Sequence, residues 1–369
     1  MSTQHHDPLY KRLLRSAWRG GLSGISGLSA REPFGETEPK VFYGGARAGN
    51  VGGTLVKVAH LQKYFPQHLM GFNTVYSMSN TPYLSAPTLD RLKKRGVVLI
   101  HNQNGLYYPG WFPDGWRQQN ERMAIAYHRA DHVFYQSEFC RRCAEEFLGE
   151  RTGEGEILFN ATDLDHYKPA AAPLPESPFR FLTSGKFSDS LAYRLTSSIH
   201  ALGQCVRNGY DFSLYVAGWV EAGALEAARE AAGLENVTER VRFSGAYAQE
   251  EAPDIYRGAH AYLMTKYLDP CPNTVIEALA SGLPVVYSAS GGVPEMVGAD
   301  AGAGVEAVED FSAIREPGGE KRPAAVIAVS KQHEAMARAA RARAEEKFDI
   351  RKWIARHDTV MRSLLETRR

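Results

Sequence analysis

The stretch Asp269–Val297, DPCPNTVIEALASGLPVVYSASGGVPEMV, governs the reading of the whole chain. An acid, Asp269, precedes a proline-rich turn, and Asn273 is placed to cap a helix that opens at Thr274. At such a helix start the amides of Thr274 and Val275 lack an intrahelical acceptor, so an anion such as a diphosphate can dock there. Glu277 falls within about the first turn of that helix. Its carboxylate can accept two hydroxyl hydrogen bonds, the geometry of a ribose diol, or simply balance the helix dipole. Gly282-Leu283-Pro284 ends the helix, Val285–Tyr287 supplies a strand, and Gly291-Gly292 turns the chain into a helix starting near Pro294. Helix, strand and helix joined by short turns form the repeating unit of a parallel α/β sheet.

The alternation extends to both sides. Strands are expected at Phe179–Thr183, Ser213–Ala217, Val241–Ser244 and Ala261–Met264, with helices at Tyr193–Val206, Ala224–Ala232 and Ala252–Arg257. Upstream, short strands at Lys40–Tyr43, Gly71–Tyr76, Val97–His101, His132–Gln136 and Glu156–Phe159 form a second such series. Between the first two, a glycine-rich loop (44–53) leads into a helix over Thr54–Tyr64. Leu55, Val58 and Ala59 share that helix's apolar face, with Lys57 opposite. Four prolines between Lys168 and Pro178 mark a linker. The tail is helical over Gln332–Lys347 and, after Asp349 as N-cap, over Arg351–Glu366. The chain therefore divides into an extension (1–39), two α/β domains (40–170 and 171–347) and a closing helix (348–369), with a ligand cleft between the domains.

A chain of 369 residues with 44% hydrophobic and 23% charged residues is an ordinary globular protein of about two domains. Its 43 lysines and arginines against 42 acids carry no chain-wide footprint for nucleic acid. Four cysteines are too few for a disulfide scaffold, which favours a cytoplasmic setting. Charge is uneven locally. Residues 8–20 carry Lys11, Arg12, Arg15 and Arg19 with no acid, and on a helix Tyr10, Leu13, Leu14, Ala17 and Trp18 would share the other face. Such a segment either lies on an anionic membrane surface, or packs on the body of the protein or frays.

Together, the two acids eight residues apart (Asp269 and Glu277), the run EALASGLPVV and the loop GGVPE resemble the donor-binding signature of family 4 retaining glycosyltransferases. The resemblance implies the GT-B fold, in which two Rossmann-like domains face each other and a C-terminal helix crosses back. It further implies a hexose transferred from a nucleotide-diphosphate sugar to an acceptor, with retention and without a metal or other cofactor. Asp269, where the family more often has glutamate, would hold the sugar hydroxyls and Glu277 the ribose. Asn273, Thr274 and Val275 would meet the phosphates, with Gly52 and Gly53 from the N-terminal glycine-rich loop contacting the donor. Lys186 matches the first of the family's two diphosphate-binding cations and Arg194 is the candidate for the second. His101, in Leu99-Ile100-His101-Asn102, resembles a histidine placed near the transferred sugar, though a single strand-end histidine is equally a structural one.

Other features carry less. Asp163-Leu164-Asp165 has the spelling of a metal–nucleotide triplet but sits at the expected domain exit, and Cys140-x-x-Cys143 has no second pair to complete a zinc site. The run Tyr107–Trp116, YYPGWFPDGW, offers aromatic faces for a saccharide or lipid-linked acceptor, or for loop packing. A non-catalytic nucleotide-sugar-binding protein and a sugar-nucleotide epimerase of the same fold are the competing readings.

Overall fold

The computed structural model describes residues 37–49, 52–316, 319 and 321–368, with isolated positions at 17, 20, 21, 24 and 30. Most of the basic segment 8–20 lies outside them. The first half contains β1 (Val41–Phe42), α1 (Gly53–Tyr64), β2 (Thr74–Met78), α2 (Ala86–Lys94), β3 (Val98–Gln103), α3 (Trp116–Tyr127), β4 (His132–Tyr135), α4 (Glu138–Leu148) and β5 (Glu154–Ile157). The second contains β6 (Phe179–Phe187), α5 (Tyr193–Arg207), β7 (Phe212–Val220), α6 (Ala222–Leu234), β8 (Val241–Gly245), α7 (Ala252–Arg257), β9 (Ala261–Met264), α8 (Asn273–Ala280), β10 (Val285–Ala289), α9 (Val293–Val297) and β11 (Gly302–Glu306). Helices α10 (Arg322–Lys331), α11 (His333–Lys347) and α12 (Ile350–Glu366) follow.

Every pairing within the two sheets is parallel. The first sheet runs β1-β2-β3-β4-β5 in chain order; the second runs β11-β10-β9-β6-β7-β8, so its order reverses between β6 and β9. The central strands β9 and β10 of the second sheet are buried on both faces, which explains their apolar runs. Phe181, Leu263 and Val286 point into a core shared with α5, α6 and α10, while Leu182, Met264 and Val285 point into one shared with α8, α9 and α11. Strand β11 was not foreseen, because its glycines mask the strand pattern. A Cβ at Gly302 would lie 2.0 Å from the Val285 carbonyl oxygen, so only glycine admits this edge pairing.

The closing helix crosses back as expected. Asp349 caps α12 by accepting from the Arg351 amide at 2.9 Å. Trp353, Val360, Met361 and Leu365 then pack with Val58, Tyr76, Ile100 and Phe134 of the first domain. The two chain crossings lie side by side: the Thr162 amide donates to Phe348 O at 2.9 Å and the Ile350 amide to Thr162 O at 3.1 Å. Helix α1 is thereby covered on more than one side. Lys57, placed opposite the apolar face by periodicity, is buried along with Val58 and Leu61.

Candidate active site

In open parallel sheets ligands bind beyond the carboxyl ends of the strands, where the strand order reverses. The second sheet has its reversal between β6 and β9, and a cleft of about 1250 Å³ opens there, walled on its other side by the first domain. Ser184, Gly185 and Lys186 at the end of β6 line it, with Gly218 and Trp219 from β7 and the segment 266–274 after β9. Gly52 and Gly53 face it from the start of α1, with open space where a side chain would be.

Two cations stand at the β6–α5 edge. Lys186 is exposed, 5.7 Å from the centre of the Trp219 ring, its register partner across β6 and β7. Arg194, in the first turn of α5, is only 4% exposed. Its guanidinium lies 4.6 Å from the Phe187 ring centre and 3.9 Å from Met264 Sδ, and its Nε is buried without a hydrogen-bond partner. Among the described residues no ion pair involves Arg194. A buried guanidinium without an acid partner is expensive, and an incoming anion would relieve that cost.

Glu277, one turn into α8, accepts from the Tyr256 hydroxyl at 2.8 Å. Burial pushes its carboxyl up to about 7, opposed by the hydroxyls of Tyr256 and Tyr167. Asp269 pairs with Lys266 at 2.7 Å, and its other oxygen accepts from the Cys271 amide at 3.2 Å. The GGVPE turn closes over this loop. Gly291 has φ 70°, and a Cβ there would fall 2.5 Å from Asp269 O, so the turn cannot carry a larger residue.

Three expectations need correction. Asn273 is the first helical residue, not the cap; Pro272 takes the cap position. The Asn273 side-chain oxygen instead accepts from Asn160 Nδ2 of the first domain at 2.8 Å. The Val275 amide is not free either, since it donates to Pro272 O at 3.1 Å; the Thr274 amide has no acceptor among the described residues. His101 does not reach the cleft. Strand β3 runs on to Gln103, so His101 is interior, fully buried, and held by Ser77 Oγ and Gln103 Oε1, each at 3.0 Å. Burial lowers its imidazole to about 4. Asn104, beyond the strand end, lines the cleft in its place.

The first domain grips the second around the cleft. Glu295 of GGVPE accepts from the amides of Glu138 and Phe139 at 2.7 and 2.8 Å, meeting the first two amides of α4 from the opposite domain. In the aromatic run, Gly110 donates to Phe311 O at 2.8 Å and Tyr108 packs edge-on against Phe311. Tyr107 and Trp111 stack 5.4 Å apart and both line the cleft. Asp163 Oδ1 accepts from the amides of Asp165 and His166, a turn within its own loop. Among the described residues, no group of three or more His, Cys, Asp or Glu side chains is placed to hold a metal ion. The four cysteines are free and buried.

Two parallel α/β domains with a facing cleft, a switch-point donor wall and a crossover helix define the GT-B glycosyltransferase architecture. Residues 178–316 match the family model of glycosyl transferases group 1. Mannosylfructose-phosphate synthase of Agrobacterium fabrum is 44% identical over 61 residues, 16% of this chain and 13% of that protein's length. Among solved structures, sucrose-phosphate synthase from Thermosynechococcus elongatus superposes with a TM-score of 0.63 at 16% identity, covering 84% of this chain and 77% of that one. Anabaena HepE in complex with UDP gives 0.62 at 17% identity, covering 84% and 81%.

Proposed function

We propose that this protein is a retaining glycosyltransferase that moves a hexose from a nucleotide-diphosphate sugar to a saccharide or lipid-linked acceptor in cell-envelope polysaccharide or glycoconjugate synthesis. The observation that carries the reading is Arg194, a buried cation with an unpartnered Nε, on the wall that also holds Glu277 and the start of α8. The HepE complex with UDP supports a nucleotide donor. Glu277 takes the ribose hydroxyls. Arg194, Lys186 and the Thr274 amide meet the negative charge that builds on the departing diphosphate. Asp269 orients the sugar hydroxyls. The anomeric carbon–phosphate bond breaks as the acceptor oxygen bonds to the same face, and the acceptor proton passes to a phosphate oxygen. These protein cations supply the charge stabilisation without a metal. The aromatic wall of Tyr107 and Trp111 receives the acceptor. The four unpaired cysteines fit a cytoplasmic setting, and residues 8–20 would give peripheral attachment to an anionic membrane.

A thermal-shift screen with UDP-, GDP- and ADP-sugars, with and without EDTA, tests the reading. One donor should raise the melting temperature regardless of EDTA, and turnover should then require an acceptor. The absence of any shift would overturn the proposal. Turnover without an acceptor would identify an epimerase instead.

A further inference from the structure

Lys57 is 6% exposed, on the side of α1 turned towards the domain junction. Its Nζ donates to Asn102 Oδ1 at 2.6 Å and to Asn104 Oδ1 at 2.9 Å. Burial lowers the Lys57 ammonium to about 7; the ionisable neighbours that bear on it most, the thiols of Cys271 and Cys140, are each pushed up to about 12 by their own burial and so uncharged. Among the described residues its charged form rests on side-chain amides, with no carboxylate paired to it. A methionine would fill the same space without the desolvation cost, so packing alone does not account for the lysine.

The amides around Lys57 continue across the junction. Gln136 Nε2 donates to Asn104 Oδ1 at 2.7 Å and to Asn160 Oδ1 at 3.1 Å; with its amide turned over, its oxygen would instead accept from the Lys57 ammonium and its nitrogen would donate to Asn104 O at 3.1 Å. Asn160 Nδ2 donates to Asn273 Oδ1 at 2.8 Å and to Cys271 O at 3.2 Å. Asn104, Gln136, Asn160 and Asn273 all line the main cleft. Lys57 stands behind them, lining with Asn160 and Asn273 a void of about 10 Å³, too small for a ligand.

We propose that Lys57 is a positioning residue for the donor diphosphate: its ammonium orders the amide relay Asn104–Gln136–Asn160–Asn273, which holds the first turn of α8 in place against the first domain. The inference rests on the glycosyltransferase reading. Three of the four relay residues come from loops at the carboxyl ends of β3, β4 and β5, so the first domain fixes a phosphate-binding element that belongs to the second. Loss of the charge frees the Asn160 amide and loosens the helix start where the diphosphate docks.

Calorimetric titration of the full-length protein with UDP, GDP and ADP tests this on the wild type, Lys57→Met, Asn160→Leu and the double variant. Each single variant should weaken the nucleotide that the wild type binds by about tenfold and raise the donor KM in the same ratio, leaving the acceptor KM unchanged. The double variant should be no weaker than the poorer single one, because both changes break one relay. If Lys57→Met does not fold, as its melting curve would report, Lys57→Gln takes its place. Unchanged nucleotide affinity in the Lys57 variant, or losses that multiply in the double variant, would overturn the inference while leaving the functional reading intact. A wild type that binds none of the three nucleotides would remove both.

Discussion

At the start of α5 the Arg194 guanidinium lies between Phe187 and Met264, where a charge interacts more strongly than it would in water. Arg194→Met should therefore lower turnover by about a hundredfold or more. Its melting temperature should not fall, because the variant removes a buried charge that has no acid partner. Steady-state kinetics and a melting curve on the same sample check both halves. Glu277 makes a pH-dependent prediction. Burial raises its carboxyl to about 7, and in the proposed role the deprotonated form, with both oxygens free to accept, holds the ribose diol best. Binding of UDP should therefore strengthen as pH rises through that value and weaken as pH falls below it. Comparison with Glu277→Gln isolates the effect from titration of the nucleotide itself; identical pH profiles would remove the ribose role. The placement of Glu277 was legible because its motif falls on a wall that the sheet topology must expose, and Arg194 lines the same cleft. His101 was not, because the sequence does not show that β3 runs two residues past it and carries the reachable position to Asn104.

At the scale of elements, α4 has Ser137 as its N-cap, accepting from the Cys140 amide at 3.1 Å, and its first two amides are met by Glu295, which lies 157 residues from Glu138 in the chain. Both carboxylate oxygens are engaged, so Glu295→Ala should cost about 1 kcal/mol, the usual worth of a helix cap. Hydrogen exchange should accelerate at the Glu138 and Phe139 amides while the core strands of the second sheet stay protected. Unaltered exchange there would show that the cap contributes nothing. Helix α8 shows how an element's role can exceed its pattern. The sequence assigns a helix with Asn273 as a local cap. The fold shifts the cap to Pro272 and turns Asn273 towards the other domain. The cap signal read from a sequence is local, whereas the Asn160 amide that claims this side chain arrives from a different sheet.

For the whole molecule, two crossings of the chain, at Thr162 and Phe348–Ile350, run together between the domains, and α12 ties the C-terminal segment to the first sheet. Among the described residues no helix is long and apolar enough to cross a membrane. Attachment to a membrane surface would then fall to residues 8–20. Deletion of residues 1–39 should abolish co-sedimentation with anionic vesicles and leave the nucleotide-induced thermal shift unchanged, because the donor wall is built from residues 184–277. Equal sedimentation of the full and shortened chains would exclude the extension as an anchor.

The sequence by itself determined the alternation of strands and helices and, with it, the two parallel sheets. Periodicity, glycine turns and proline breaks are local signals, and the donor motif is contiguous in the chain. Only the tertiary structure decided that Lys57 is buried, that His101 is withdrawn from the cleft and that Asn273 answers to Asn160. Each of these depends on what covers a residue from a distant part of the chain. On α1 the exposed positions include Leu55 and Tyr64 while Lys57 is covered at the domain junction, so the apolar period alone does not show which face is buried.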